Sequence, residues 1–291
     1  MIKSMTGFGL ATNDYAQAKY TVEIKSLNSK FLELSLKLPK SFSDKELLLR
    51  NECSKLIERG KVHVNINAEY LNANAKTATI SQELLKIYYT QLEAAANELG
   101  AVKDNLFQLA LNFPDVVQYP EEDVTEEEWK LIHLTFEQAL VNFQTFRRDE
   151  GAVLQQDLEL RIHNIVNAQK QVELQEPNRI PLIRERLNNY LAEAIGKENI
   201  DKNRFEQELI FYIDKLDITE EKIRLKSHCD YFLASLKNTD ANGKKLAFIS
   251  QEIGREINTM GSKANDAGIQ QIVIGMKEEL EKIKEQLLNV L

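Results

Sequence analysis

The chain has 291 residues, a length typical of one large domain or two ordinary ones. Apolar residues make up 43% of the sequence and charged residues 28%, with only 5 prolines and 11 glycines, which excludes a disordered or collagen-like chain. The net charge of −8 excludes a protein that is basic over its whole surface, but it leaves room for a local basic patch.

Three N-terminal segments alternate apolar with polar residues, as strands do when one face of a sheet is buried. These segments are residues 20–24, 32–38 and 62–70. The alternation predicts an antiparallel sheet, with a turn at residues 27–29 between its first two strands. A helix is predicted over residues 42–59, with Ser43 or Asp44 as its N-cap and Gly60 as its end.

This N-terminal block is the basic part of the chain, because residues 1–70 hold 11 Lys and Arg against 8 Asp and Glu. The polar face of the predicted sheet carries Lys25, Lys37, His63, Asn65 and Asn67. One interpretation of this face is a nucleic-acid platform. The other is an ordinary solvent-exposed face, which charge alone favours.

From about residue 80 the pattern becomes helical. A helix is predicted over residues 81–99, ending at Gly100. Pro114, Pro120 and the acidic residues 121–123 then predict a loop.

A long central helix is predicted next, with Thr125 and Glu128 as the capping box at its start. Apolar residues recur along it at steps of three and four. Pro177 and Pro181 are predicted to end this helix, and a further helix follows to about residue 194.

Residues 205–237 and 245–291 are again helical in pattern, with a polar turn at 238–243, which is typical of an αα-hairpin. The predicted fold class is α+β: an N-terminal antiparallel sheet with a helix, then a mainly helical region with a long central helix and a C-terminal helical hairpin. The predicted domains are an N-terminal α/β platform (1–120), a long helical connector (121–200) and a C-terminal helical domain (201–291).

Location is predicted from what the sequence lacks. It has no run of about 18 apolar residues that would span a membrane, and its first ten residues lack the apolar segment of a secretory signal. Cys53 and Cys229 lie far apart, which excludes a disulfide framework or a zinc ribbon and suits a reducing compartment. We therefore expect a cytoplasmic protein without a membrane partner.

The sequence contains no Walker loop, no dinucleotide-binding glycine motif, no zinc-protease helix motif and no paired C-x-x-C, so the candidate chemistry lies in two polar helix stripes. In one stripe, Glu252 and Glu256 lie about 40° apart around the helix axis. Arg255 and Lys263 share this stripe. Two carboxylates one turn apart could share a divalent ion.

The second stripe carries Asp217, Glu220, Glu221, Arg224 and His228 beside an apolar face. If the two helices pack as a hairpin, both stripes can face one cleft. A structural interpretation competes with this one. Asp217 and Glu220 have capping-box spacing, Glu220 and Arg224 have salt-bridge spacing, and a lone histidine is more often structural.

Several sequence blocks resemble the YicC family, also called YloC, of bacterial proteins described as endoribonucleases. The N-terminal blocks are MIKSMTGFG (1–9), LNSKFLE (27–33) and RGKV (59–62), and the central block is DEG (149–151). The C-terminal blocks are DKLDITEE (214–221), GKKL (243–246), REINT (255–259) and GSKA (261–264). The resemblance implies a cytoplasmic, oligomeric, metal-dependent enzyme that cleaves RNA, assembled as a hexamer that encloses its substrate.

The resemblance and the two stripes together give a set of expected site residues. The expected catalytic residues are Glu220, Arg224, His228, Arg255 and Glu256. The arginines would hold the scissile phosphate, and His228 is the alternative general acid or base. The expected ligands of the divalent cation, Mg²⁺ or Mn²⁺, are Glu252, Glu256, Asp217 and His228. The expected RNA-binding residues are Asn28, Lys30, Arg59, Lys61, Lys244, Lys245 and Lys263.

Two other classes of function fit the same residues. The protein could be a non-catalytic, oligomeric RNA-binding adaptor or scaffold, whose acidic stripes form salt bridges between subunits. A weaker alternative is a metal-dependent hydrolase of small nucleotides. The endoribonuclease interpretation, with small-RNA turnover as the expected role, is the one carried forward.

Overall fold

The computed structural model describes residues 2–16, 18–70, 78–118, 125–238 and 243–291. The strands are β1 (Gly7–Tyr15), β2 (Ala18–Leu27), β3 (Leu32–Lys37), β4 (Gly60–Tyr70), β5 (Thr79–Ile80) and β6 (Val117–Gln118). The helices are α1 (Glu46–Leu56), α2 (Gln82–Leu99), α3 (Leu106–Leu111), α4 (Glu126–Ile195), α5 (Lys202–Lys215), α6 (Thr219–Lys237), α7 (Gly243–Ala264) and α8 (Ala267–Leu287). Short 3-10 turns occupy Lys40–Lys45 and Lys197–Asn199.

The N-terminal sheet has the strand order β1-β2-β4-β3. β1 pairs antiparallel with β2, and β2 pairs antiparallel with β4, so the predicted α+β class is confirmed. β3 instead pairs parallel with β4, and the turn at residues 27–29 joins two strands that do not pair with each other. The connection explains the difference, because α1 lies between β3 and β4 and crosses over from one strand to the next.

The helix predicted over residues 42–59 is shorter than expected. A 3-10 turn precedes α1, and Ser43 caps no helix, because its hydroxyl donates to the Lys40 carbonyl at 2.7 Å. The N-cap position of α1 is Lys45, which makes no side-chain cap. The turn places Phe42 in the core beneath the sheet. Because the Phe42 ring is buried by this turn, α1 begins at Glu46, later than Ser43 and Asp44 predicted as capping residues.

β1 was not predicted, because its Gly-Phe-Gly start has low strand propensity. The structure gives the reason for Gly9. A Cβ atom on Gly9 would lie 2.2 Å from the Ala139 carbonyl oxygen and 2.7 Å from the Phe143 Cβ atom of α4. The missing side chain lets the backbone of α4 lie directly against β1.

The central helix α4 is continuous over 70 residues, about 105 Å, so the prediction that Pro177 and Pro181 end it is wrong. Each proline removes one helical hydrogen bond and costs about 3 kcal/mol in an isolated helix. Tertiary contacts hold the helix on both sides of the prolines, since Val172, Arg179 and Ile183 are all buried. The predicted capping box at its start is confirmed, with the Glu128 amide donating to the Thr125 hydroxyl at 3.2 Å.

Two parts of α4 pack into two different apolar cores. Its N-terminal half packs on the sheet through Ile132, Phe136 and Phe143. Its middle packs on α6, α7 and α8 through Leu158 and Ile162. One rigid helix therefore fixes the sheet relative to the C-terminal helices.

The C-terminal region has more helices than predicted. The predicted helix over 205–237 is interrupted between α5 and α6, and the one over 245–291 is interrupted at Asn265, which has a positive φ of 45°. Asp266 then caps α8, accepting from the Ile269 amide at 2.9 Å. The predicted hairpin of α6 and α7 is present, and α8 packs back on α7 and α4. Residues 239–242 of the predicted turn lie outside the described residues.

The two ends of the chain are bonded to each other. The Leu291 amide donates to the Lys3 carbonyl at 3.0 Å, and the Met5 amide donates to the Asn289 carbonyl at 2.8 Å. The Ser4 amide donates to the Arg147 carbonyl of α4 at 3.0 Å. The N-terminal segment is therefore held between α4 and the C-terminal residues.

The predicted domain boundaries, after residues 120 and 200, stay a prediction. All of α4 lies within the predicted connector. In the parts of the chain that are described, no helix is both long and apolar enough to cross a lipid bilayer.

Acid stability is expected to depend on Glu279, which joins α8 to α4. Burial of the Glu279 carboxyl favours its neutral form, but hydrogen bonds from Lys282, Asn164 and Arg161 outweigh burial and lower its pKa from 4.5 to about 2. The stability that this ionised group contributes is present above pH 4.5 and is lost as the pH falls toward 2.

Glu279→Gln is expected to lower the free energy of unfolding by about 1 to 2 kcal/mol at neutral pH. Below pH 4.5, the free energy of unfolding of the variant should decrease less with falling pH than that of wild type. Urea titrations across this pH range measure both effects. An unchanged acid dependence in the variant would contradict the assignment.

Candidate functional site

The α6–α7 hairpin brings the two predicted stripes onto one pair of antiparallel helices. Its apolar seam is filled by Leu225, Cys229 and Phe232 of α6 and by Ile253 and Ile257 of α7. The polar stripes flank this seam, as the periodicity predicted. The N-terminal end of α6 therefore lies beside the C-terminal end of α7.

At that end, Glu221 and Lys263 form the central ion pair of the site. The Lys263 Nζ atom donates to the Glu221 Oε1 atom at 2.8 Å, and Glu221 is only 4% exposed. The other carboxylate oxygen, Oε2, is buried without a hydrogen-bond partner in the described residues. Glu221 thus has one oxygen that no described group neutralises.

The sequence placed Glu221 in the second polar stripe, but it was given no role in the site. It lies three residues after the buried Ile218 and four before the buried Leu225, so its position belongs to the apolar face. A charged residue at an apolar position is the signal that could have identified it. Lys263 was assigned to RNA binding, but here it first neutralises Glu221.

The charges around this pair act on one another. The hydrogen bond to Glu221 raises the pKa of Lys263, and the charges of Glu220 and Asp217 add to the effect. The pKa of Asp217 is lowered, chiefly by the hydrogen bond from the Thr219 hydroxyl at 2.7 Å and also by the Thr219 amide. Asp217, Glu220, Glu221 and Lys263 therefore form one electrostatic cluster, with Asp217 also bonded to the start of α6.

The other predicted catalytic residues of α6 lie on its outer side. Arg224 forms an ion pair with Glu220 one turn earlier, and both side chains are exposed. His228 is half-buried, two turns beyond Glu221. No hydrogen bond joins the His228 ring to another residue of the described segments, so the ring is available to a ligand.

Glu252 and Glu256 lie one turn apart on α7, as predicted. Glu252 is half-buried, and Glu256 is 5% exposed. Within the described part of the chain, Glu256 makes no hydrogen bond or ion pair. Arg255 lies next to it in sequence with an exposed side chain. Although the residue is largely buried, its carboxylate oxygens still reach solvent, unlike the buried Oε2 atom of Glu221.

The predicted metal ligands are not brought together as one cage. Among the residues that the structure describes, no group of three or more His, Cys, Asp or Glu side chains is placed to hold a metal ion. Asp217 and His228 lie three turns apart along α6, whereas Glu252 and Glu256 are neighbours on α7.

Six of the seven predicted RNA-binding residues either bond to residues 288–291 or lie within two residues in sequence of one that does. The Asn28 side-chain amide donates to the Leu288 carbonyl, and the Arg59 guanidinium donates to the Val290 carbonyl, each at 2.7 Å. The Gly243 amide at the start of α7 donates to the Leu291 carbonyl at 3.2 Å. The exposed lysines near these contacts are Lys30, Lys61, Lys244 and Lys245, which together with Arg59 form what we call the basic cluster.

α7 joins this basic cluster to the electrostatic cluster of Asp217, Glu220, Glu221 and Lys263, which we call the acidic cluster. Lys244 and Lys263 mark its two ends, about 28 Å apart along the helix. Glu252 and Glu256 lie between these ends. The sequence predicted the two groups separately, and the fold places them along one helix.

The fold and the site define an α+β protein in which one helix connects a basic surface to an acidic hairpin. Two family models match the chain: "Endoribonuclease YicC-like, N-terminal region" over residues 2–156 and "Endoribonuclease YicC-like, C-terminal" over residues 172–291. The chain therefore belongs to the YicC-like endoribonuclease family, which confirms the resemblance found in the sequence.

Two similar proteins match over their whole lengths. "Probable endoribonuclease YicC" of Clostridioides difficile (strain 630) is 33% identical over 296 residues. The protein of the same name in Haemophilus influenzae is 30% identical over 292 residues. Each alignment covers 100% of this chain and 100% of the relative.

Proposed function

We propose that this protein is a metal-dependent endoribonuclease that cleaves internal phosphodiester bonds of RNA, with small-RNA turnover as its role. The observation that carries the proposal is the course of α7, which runs from the basic cluster to the acidic cluster and carries Glu252 and Glu256 between them. An RNA strand lying along α7 would have its phosphates held at one end and would reach the carboxylates within a few nucleotides. The names of the two relatives support the same activity.

The roles of the side chains follow from their chemistry. Arg224 and Arg255 are exposed on the two polar stripes, and a guanidinium can bind two phosphate oxygens at once. His228, whose ring makes no hydrogen bond to another described residue, would serve as the alternative general acid or base. Glu220 would hold Arg224 in place through their ion pair.

The donor set suits a hard cation such as Mg²⁺ or Mn²⁺. Mg²⁺ is commonly bound by one or two carboxylates together with water and substrate phosphates, so it needs no cage of three protein ligands. Glu256, whose carboxylate oxygens reach solvent and have no hydrogen-bond partner among the described residues, and Glu252 one turn away would hold the ion. When bound, the ion would activate a nucleophile and offset charge on the phosphate.

A homo-oligomer, specifically a hexamer enclosing RNA, is part of the proposal. The chain carries a net charge of −8, so one basic cluster must act against general repulsion, and several clusters acting together would overcome it. Exposed apolar side chains on α4 and α5 supply surface for assembly: Leu174, Leu182, Tyr190, Ile210 and Phe211. A monomer in light scattering at working concentration would contradict the hexamer.

A cytoplasmic location is also proposed. Burial raises the pKa of the Cys53 and Cys229 thiols to about 12, and both cysteines are free. Buried free thiols suit a reducing compartment.

The test is a cleavage assay on a labelled RNA that contains both a hairpin and a single-stranded tail, run with Mg²⁺, with Mn²⁺ and with EDTA. Glu256→Gln is expected to reduce internal cleavage by about 100-fold or more while the assembly stays intact. Glu278→Gln, an exposed glutamate on α8, is the matched control and should cleave normally. Equal cleavage by wild type and Glu256→Gln would remove Glu256 from the site, and cleavage in EDTA would contradict metal dependence.

The second candidate is the non-catalytic RNA-binding scaffold. One observation favours it: Glu220 with Arg224 and Glu221 with Lys263 are already ion pairs, which is how a structural charge network looks. Under that function, purified protein would shift RNA in a gel without cutting it. Glu256→Gln would then change the oligomeric mass rather than any cleavage rate.

A further inference from the structure

One face of the N-terminal sheet is not covered by any described element. α1 and α4 pack against the opposite face, which carries the buried residues Tyr20, Val22, Ile24 and Val64. We call the uncovered side the open face; it is formed by the even-numbered residues of β1 and by the odd-numbered residues of β2, β3 and β4.

Strand register places a ring, a cation and an imidazole in one row on the open face. Phe8 of β1 is opposite Lys25 of β2, which is opposite His63 of β4. Phe8 is 37% exposed, although an aromatic ring in a folded protein is usually covered. The Lys25 Nζ atom lies 5.6 Å from the centre of the Phe8 ring. The row therefore offers an exposed ring with a cation beside it.

A second exposed pair of the same kind lies at the edge of this face. Phe31, in the connection between β2 and β3, is 68% exposed, and the Lys30 Nζ atom lies 5.5 Å from its ring centre. An exposed ring with an adjacent lysine suits a nucleotide, because the ring stacks on the base while the cation meets the phosphate.

The polar side chains of the open face are free to recognise bases. Asn65 and Asn67 follow His63 along β4 at every second residue, so all three point to this side. Their side chains make no hydrogen bond to any other described residue. Amide groups can donate and accept, which matches the edges of unpaired bases.

Continuity with the basic cluster favours the same occupant. Lys61, a member of the basic cluster, is opposite Leu27 on the open face, so the cluster and the face form one surface. The open face itself is neutral, because Lys19, Lys25, Lys37 and Lys61 are matched by Asp14, Glu23, Glu33 and Glu69. Phosphates would therefore be met by the two lysines beside the rings and by the basic cluster, rather than by the face as a whole.

We propose that the open face binds single-stranded RNA by stacking unpaired bases on Phe8 and Phe31 and by contacting them through His63, Asn65 and Asn67. This inference rests on the proposed RNA substrate, and it adds that single strands, rather than duplexes, are held there. The bases of a duplex are already stacked inside it and cannot lie on these rings. The path continues through the basic cluster onto α7.

The test compares Phe8 with an exposed phenylalanine that lies outside the sheet. The probe is a short oligoadenylate containing one fluorescent adenine analogue, bound to the full-length protein in EDTA, with a gel to check that the RNA stays intact. Phe8→Leu is expected to weaken binding about tenfold and to remove the stacking change in fluorescence. Phe107→Leu on α3, where the ring is 59% exposed and lies outside the sheet, should bind like wild type. Binding of a blunt RNA duplex should not change in either variant.

If Phe8→Leu binds the oligoadenylate with the same affinity as wild type, the inference is overturned. If that unchanged affinity comes with an altered oligomeric mass, the open face is instead a contact between subunits. If Phe8→Leu does not fold, Asn65→Ala on the same face should weaken binding of the oligoadenylate several-fold, and unchanged binding would overturn the inference. Stacking on Phe8 without any cleavage would leave this inference standing while the proposed enzyme function failed. If the protein cleaves RNA but Phe8→Leu binds the oligoadenylate as wild type does, the proposed enzyme function stands and this inference fails.

Discussion

Gly151→Ala is expected to lower the free energy of unfolding by about 3 kcal/mol, although the same replacement usually stabilises a helix. Gly151 lies inside α4, where the N-terminal segment crosses the helix. A Cβ atom there would lie 2.3 Å from the Ile2 carbonyl oxygen and 3.0 Å from the Lys3 Cα atom. Both are backbone atoms, so no side-chain rotation relieves the overlap. Urea denaturation followed by circular dichroism measures the loss.

Gly275→Ala is the matched control for that prediction. Gly275 also lies inside a helix, α8, but a Cβ atom there meets no atom within 4 Å. This replacement should raise stability by about 0.5 to 1 kcal/mol, because alanine is the better helix former. A stabilised Gly151→Ala protein would show that the N-terminal segment does not lie against α4 as described.

Lys263→Met is expected to lower the free energy of unfolding by about 3 kcal/mol at neutral pH. The change removes the partner of Glu221 and leaves a carboxylate that is 4% exposed without compensation. Lys263 itself remains partly in contact with solvent, which keeps the expected loss at the lower end of the range for a broken buried pair. Thermal and urea unfolding of both proteins give the difference.

The double variant Glu221→Gln/Lys263→Met should recover much of this loss, because no buried charge remains. The pH dependence gives a second check. The raised pKa of Lys263 means that its contribution is complete below its ordinary value of 10.5 and is lost as the pH rises through the folded-state value. The gap between wild type and Lys263→Met should therefore narrow at strongly alkaline pH. A gap that is small at neutral pH would show that Lys263 is free to bind RNA.

Many of the helices and strands were predictable because each is determined by the spacing of apolar residues or by capping residues within its own segment. The alternation of Tyr20, Val22 and Ile24 with polar residues identified β2, and Thr125 with Glu128 identified the start of α4. These features depend on residues close in sequence, so local physical chemistry is enough to predict them.

The missed features depend on contacts between distant residues. β1 begins with glycines whose purpose is visible only when α4 lies against them. α4 continues through Pro177 and Pro181 because buried residues on both sides hold it, and no local pattern records those contacts. The break at Asn265 lies within a sequence whose helical periodicity continues on both sides.

The site shows the same division. The stripe positions of Glu252, Glu256 and Arg224 were readable from helical periodicity. The approach of Glu221 to Lys263 and the gathering of Asn28, Arg59 and Lys244 around the chain end were not, because they join residues that are far apart in sequence.

The bonding of Leu291 to Lys3 also has a consequence for synthesis on the ribosome. The sheet can form once its strands have emerged, but the segment that runs from Lys3 to Met5 gains its partners only after the last residues are made. Native closure is therefore a late event that waits for Asn289 and Leu291 to be made. A bulky fusion placed after Leu291 should slow the acquisition of native structure more than one placed in a surface loop.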